Sequence, residues 1–242
     1  MLATDIVPYL SASMPEDDVS TSGGAIDLTG SPTFTAMAAN DTLEALSDNA
    51  ADTMNLTIVG RDAGKALDSE TLALNGTTVV PFTTTLERFM KAVLASAAAG
   101  TVTIRRSGGG ATVATIVAGQ TKVRRFFYDS SSESGATTRF EKVFLKNTNG
   151  TDTLNSAEVN LSADPASTIR IGVAAAKDDT GSVANRKTPP GVTFVDDGVS
   201  QSVPGGTLAA GEAIGVWAEM ARGADAAAIK DSFTMQMTGT SG

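Results

Sequence analysis

Apolar and polar positions alternate in short runs along most of this chain, and the runs are separated by Gly, Pro, Asn and Asp. Met54, Leu56 and Ile58 are set apart by Asn55 and Thr57, the period-two spacing of a half-buried strand. A turn over Gly60–Gly64 follows. The stretch Glu70–Leu74 then meets Asn75-Gly76 and Thr77–Val80, where the Asn-Gly pair predicts a tight hairpin because both residues accept positive φ. Two further β-like segments, Thr101–Arg106 and Ala111–Val117, flank Gly108-Gly109-Gly110. Between these lies an ambiguous stretch. Leu86, Phe89, Met90, Val93 and Leu94 fall at i, i+3, i+4, i+7 and i+8, which predicts one short helix over Thr84–Ala98, with another strand as the competing reading.

Beyond Phe126-Phe127-Tyr128 and the polar loop Asp129–Gly135, strands are predicted over Phe140–Lys146, Ala157–Ser162, Ile169–Ala174, Val192–Val195, Ile214–Met220 and Ser232–Thr238. Turn chemistry stands between them at Asn149-Gly150, Asp197-Gly198 and Pro204-Gly205-Gly206. The last strand alternates Met235 and Met237 with Thr234, Gln236 and Thr238, so one face is apolar and the other wet. This spacing predicts an all-β chain, mainly an antiparallel β-sandwich of immunoglobulin-like or jelly-roll-like form. Residues 1–51 are rich in Ser, Asp, Ala and Gly and are expected to form an N-terminal arm with the first strands of the main sandwich. Residues 52–122 are expected to be an inserted strand-rich module, and 123–242 the main sandwich domain.

Composition narrows the function. The chain has 242 residues with no cysteine and no histidine. Thiolate chemistry, disulfides and sulfur-ligated metals are therefore excluded, as is the imidazole base of hydrolytic triads. No residue is nominated as catalytic, cofactor-binding or metal-binding, and the expectation is a protein that is not an enzyme. The formal charge of −9 argues against direct nucleic-acid binding, which depends on clustered cations. The pairs Arg105-Arg106 and Arg124-Arg125 are expected to sit at strand ends against acidic neighbours. Met1–Pro8 has no basic region and is broken by Asp5 and Pro8, so it does not resemble a signal peptide; no membrane association is expected.

Three local features invite a chemical reading. Gly60–Ala66 carries a Lys between small residues, but a phosphate-binding loop needs four residues between its glycines and Ser or Thr after the Lys, where this chain has three and Ala66. A hairpin turn is the expectation there. The acidic pairs and triplets Glu16-Asp17-Asp18, Asp178-Asp179 and Asp196-Asp197 lack EF-hand spacing and are expected to be solvated loop charges. If one of them holds an ion, Asp178-Asp179 beside Thr180-Gly181-Ser182 is the first place to look. Trp217 is expected to be a core anchor, with a subunit contact as the alternative.

Several segments resemble structural proteins of tailed-bacteriophage particles of the β-sandwich type. They are Phe140–Gly150, Val183–Phe194, Gly206–Trp217 and the closing Asp231–Phe233, with Gly23-Gly24-Ala25-Ile26 comparable to a segment that precedes the sandwich in such proteins. Gly60–Gly64 through Glu70–Thr78 is similar to a second element seen in virion proteins. The resemblance implies a capsid decoration or cement protein, made in the host cytoplasm and carried in the virion. It would form a homo-oligomer bound to the major capsid protein or other virion subunits. A neck or tail component (adaptor, tube or fibre base) is the alternative, and a host-glycan-binding β-sandwich a further one, poorly served by one Trp and two Tyr.

Overall fold

A computed structural model describes residues 1–32, 35–127, 135–225 and 232–242. The chain runs β1 (Ile6–Ser13), β2 (Ser22–Asp27), β3 (Gly30–Ser31), β4 (Leu43–Ser47), β5 (Asn55–Arg61), β6 (Leu67–Ala73), β7 (Val80–Pro81), β8 (Arg88–Leu94), β9 (Val102–Arg106), β10 (Thr112–Ile116) and β11 (Lys122–Arg124). It continues through β12 (Thr137–Asn147), β13 (Leu154–Ala163), β14 (Ile169–Lys177), β15 (Ser182–Val183), β16 (Gln201–Ser202), β17 (Thr207–Leu208), β18 (Ala213–Arg222) and β19 (Thr234–Ser241). The architecture is all-β and sandwich-like, and helix among the described residues is confined to two three-residue 3-10 turns. Two compact units are present. One is Met1–Asp27 with Asp129–Gly242, and the other is Leu28–Tyr128.

The discontinuous unit carries a six-stranded sheet in the order β14-β18-β12-β1-β2-β15, antiparallel throughout. Its central strands are buried on both faces: every residue from Ala213 to Met220 on β18 is inaccessible, as are Arg139–Leu145 on β12. A second sheet is built on β13, which takes β16 and β17 along one edge and β19 along the other. The inward residues Leu154, Ala157, Val159 and Leu161 of β13 are closed from solvent.

The unit Leu28–Tyr128 has two sheets of its own, β10-β9-β4-β7 and β3-β11-β8-β5-β6. Leu43, Ala45, Val102, Ile104, Val113 and Ile116 from the first pack into one cluster with Leu56, Ile58, Phe89, Ala92, Leu94 and Val123 from the second. Residues 28–51 belong here and are not an arm. β4 is an interior strand between β9 and β7, β3 pairs with β11, and Met37 is in the core. The division therefore falls after Asp27 and not at 51, and β11 closes this unit where the sequence had placed the start of the main sandwich.

The short helix expected over Thr84–Ala98 is absent: the segment is β8. Its helix-like spacing has a physical source. Cross-strand pairing with β5 slips between Val59 and Gly60, so Lys91 lies opposite Val59 while Phe89 lies opposite Gly60, and Met90 is the extra residue of a β-bulge. Phe89, Ala92 and Leu94 face the core, Met90 packs with Val59 on the other side, and an alternating strand with one inserted residue mimics a 3.6-residue repeat. The Asn75-Gly76 turn forms, with the Thr78 N–H donating to the Asn75 carbonyl at 2.9 Å and Gly76 at φ 55°. It does not join a hairpin, because β6 pairs with β5 and β7 with β4. The triple glycine does close the β9–β10 hairpin.

Gly60 sits where β5 meets the bulge, and a Cβ there would run into the Arg88 carbonyl oxygen and come within 2.7 Å of a Leu86 methyl. Gly60→Ala is expected to destabilise the protein by about 1–3 kcal/mol through overpacking. Urea unfolding followed by tryptophan-independent circular dichroism measures it, and an unchanged midpoint would contradict the packing described.

Candidate functional site

β12 carries Lys142 opposite Trp217 of β18, which in turn lies opposite Gly172 of β14. The Lys142 stem passes Gly215, where a Cβ would come within 2.6 Å of Lys142 Cε. The side chain is wholly buried, and its ammonium donates to the Asp179 carboxylate, to the carbonyls of Gly24 and Gly181 at 3.1 Å each, and to the Asp179 carbonyl at 3.3 Å. The ring of Phe144 lies 4.8 Å from Nζ and that of Trp217 5.7 Å away. An ammonium has three protons and no other means of satisfying its charge, so these oxygens form a cage for a tethered cation. Burial pushes the Lys142 pKa below its ordinary value, against the opposing pull of Asp179. Burial acts to raise the Asp179 carboxyl too, but the hydrogen bonds from Lys142 and the Gly181 N–H outweigh it and hold that group below its ordinary value.

The cage depends on glycine conformations that the sequence marks only as a Gly-Gly pair. Gly23 and Gly24 have φ of 99° and 92°, and a Cβ on Gly23 would meet the Trp217 ring at 2.6 Å. The Gly24 N–H donates to the Gly181 carbonyl at 2.8 Å, which fixes the two oxygens of the cage relative to each other. Trp217, 3% exposed, is thus the core anchor expected.

A second buried cluster lies on the same strand. Arg139 meets Asp18 through two bonds of 2.7 Å, the bidentate geometry that guanidinium and carboxylate share. Arg186 donates to Asp18 at 2.9 Å, to Glu141 at 3.2 Å and to the Pro15 carbonyl at 3.2 Å, and its own carbonyl accepts the Phe140 N–H at 2.7 Å. Arg139, Arg186 and Glu141 are all 1% exposed or less. Two guanidiniums out of water would cost several kcal/mol each without such partners. Here Asp18 and Glu141 balance them.

In the other unit, Glu44 accepts from Arg105 Nε at 2.7 Å and from the N–H groups of Gly108 and Gly109 at 3.0 Å each. Burial opposes ionisation of Glu44, but these donors hold its pKa below the ordinary value. Arg106 pairs with Asp41 at 2.8 Å. The first arginine pair therefore meets acidic neighbours, as its place at a strand end suggested.

Asp62–Ala66 is the turn between β5 and β6, closed by the Asp62 N–H donating to the Ala66 carbonyl, and Lys65 pairs with Glu87. Asp17 caps the N–H groups of Val19 and Ser20, while Asp196 and Asp197 are exposed. The site favoured for an ion, Asp178-Asp179, is divided: the Asp179 carboxylate serves Lys142 and Gly181, and that of Asp178 accepts the Ala213 N–H. Among the described residues no three acidic side chains converge to hold a metal. The loop Asp129–Ser134 and residues Ala226–Asp231 lie outside the described residues. The two buried cages were not anticipated, although a signal existed: in β12 apolar residues occupy both parities, at Phe140 and Phe144 and at Val143 and Leu145, so Glu141 and Lys142 between them must be buried as well.

Comparisons with protein-family models, with curated proteins and with solved structures give no match. No helix among the described residues is long and apolar enough to cross a membrane.

Removing Asp179 leaves a wholly buried ammonium with carbonyl partners alone. Asp179→Ala is expected to cost about 3 kcal/mol at neutral pH, the lower end for a broken buried pair because the carboxylate is 25% exposed. The sign with pH follows from the lowered folded-state pKa: the Asp179 contribution is present above its unfolded value of 3.8 and is lost as pH falls through the folded value. Urea titrations at neutral and strongly acidic pH are expected to show the gap between wild type and Asp179→Ala closing in acid. A gap that does not depend on pH would contradict the assignment.

Proposed function

We propose that this chain is a structural component of a bacteriophage particle, a decoration or cement protein that binds the assembled head through repeated contacts. The observation that carries the reading is the convergence of its virion-like segments. Phe140–Gly150, Val183–Phe194 and Gly206–Trp217 are far apart in sequence, yet the Phe140 ring packs against that of Phe194 in a tilted arrangement with centroids 5.5 Å apart, and its N–H donates to the Arg186 carbonyl. β12 pairs with β18 along its length, and the Gly211 N–H reaches the Asn147 carbonyl at 2.9 Å. In the segment Gly23–Ile26, the absence of a Cβ at Gly23 leaves room for the Trp217 ring, and the Gly24 carbonyl accepts from Lys142. These four segments of the discontinuous unit thus form one packed nucleus, while the second virion-like element, Gly60–Thr78, belongs to the unit Leu28–Tyr128.

Charge distribution supports a protein partner over nucleic acid. Leu28–Tyr128 carries nine Lys and Arg against eight Asp and Glu, whereas the discontinuous unit carries nine against nineteen. The negative charge therefore belongs to one unit, which would repel packaged DNA and suits a complementary basic surface on a capsid subunit. The buried charges are spent on internal structure, as a scaffold requires.

The test is quantitative mass spectrometry of purified particles of the phage that encodes the chain, with cryo-electron microscopy of the same particles. Hundreds of copies on the head lattice are expected for decoration. Six or twelve copies, as counts set by axial symmetry, would assign the chain to the neck or tail instead, and its absence from particles would overturn the virion reading.

A further inference from the structure

The sheet edges of the discontinuous unit and of Leu28–Tyr128 differ in how they are protected. An exposed edge presents unpaired N–H and C=O groups and is normally blunted by charge, proline, shortness or a covering segment. β6 carries Asp68 and Glu70. β14 carries Arg170 and Lys177, and along its outer side Ile171 exchanges hydrogen bonds with Val195 while Val173 N–H donates to the Gln201 side chain. β10 is met by the Thr35 N–H, which donates to the Val113 carbonyl at 2.6 Å. β3, β7, β15, β16 and β17 are two residues long.

β19 has none of these devices among the described residues. It is eight residues, Thr-Met-Gln-Met-Thr-Gly-Thr-Ser, without a charge or a proline, and its one strand partner is β13. It is also incompletely covered. Met235 lies opposite Leu161 and Met237 opposite Val159, so both methionines face the core side, yet both remain partly exposed while their partners are fully buried. An additional strand on this edge would both pair the open backbone and cover those side chains.

We propose that β19 is the surface through which two copies of this chain associate, edge to edge, as antiparallel strands about a twofold axis. The sequence of the strand selects a second copy as occupant. With the axis perpendicular to the sheet, each residue pairs with one of the same facing, so Thr234, Gln236, Thr238 and Thr240 meet only one another on the outer face. Met235, Met237, Gly239 and Ser241 meet only one another on the inner face. Every symmetric register therefore sets neutral polar against neutral polar on the outer face, including favourable Thr–Thr pairs, and the register centred on Met237 sets the two copies of that side chain opposite each other. A charge near the axis would face its own copy, and β19 is the long edge that bears none. The inference is independent of the virion reading, since self-association through β19 holds or fails in the isolated protein.

Sedimentation velocity of the purified chain at micromolar concentration tests it, together with the double variant Gln236→Lys/Thr238→Lys. The variant places two ammoniums per strand on the pairing face. Lys at 238 would lie opposite Glu158 of β13, an attractive cross-strand pair that favours the fold. The wild type is expected at twice its 24.6 kDa monomer mass and the variant at the monomer mass, with unchanged circular dichroism. Hydrogen exchange supplies a readout that needs no variant: amides of Thr234–Ser241 are expected to slow as protein concentration rises, while those of β12 do not change. A monomeric wild type, a dimer that survives both lysines, or β19 exchange that ignores concentration would overturn the proposal.

Discussion

An ammonium group cannot rest inside a protein unless oxygen atoms are brought to it, and in this fold those oxygens come from segments remote in sequence. Lys142 sits on the central strand of the six-stranded sheet; Gly24 comes from the N-terminal 27 residues and Asp179 and Gly181 from the turn after β14. Arg139 and Arg186 repeat the arrangement through Asp18. Each buried cation thus ties the N-terminal strands to the strands beyond residue 128, on either side of the unit inserted between them. Apolar packing alone is non-directional and would tolerate other placements of β2. The cages do not, since a misplaced β2 would strand a charge at a cost of several kcal/mol.

The strand content and most strand positions were legible from alternation and turn residues, because a sheet with one wet face writes its period directly into the sequence. Three failures have distinct causes. The bulge at Met90 added one residue to an alternating run and produced a false helical period. The Asn75-Gly76 pair encoded a local turn correctly, but nothing local specifies which sheet the next strand joins, and β7 joined β4. The polar composition of residues 28–51 suggested an arm, whereas the β4 run Leu43–Ser47 had enough apolar character to enter a sheet interior. The cages were hidden for another reason: Arg139 and Glu141 look like the wet face of a strand, and Lys142 like a break in the opposite face, until the apolar residues of both parities around them are considered together.

The chemistry available to such buried groups is limited by their own partners. Glu44, Asp52 and Asp179 each receive several donors; Asp52, for instance, accepts from Ser47 and from the N–H groups of Ala99 and Gly100. A carboxylate held this way is a fixed structural anion, stabilised in its charged form and poorly placed to exchange protons near neutrality. Rigidity is what these networks provide. That property is consistent with the role proposed above, and the negative charge is concentrated in the discontinuous unit.

The buried cations make the first 27 residues and the strands after residue 128 a single cooperative body. Native-state hydrogen exchange as a function of denaturant addresses this most directly. The amides of Gly24 and Ile26 are expected to exchange only with global unfolding, at the same free energy as the core amides of β12 and β18. If β2 instead opens locally, several kcal/mol below the global transition, the cages do not hold the fold together and the account is wrong.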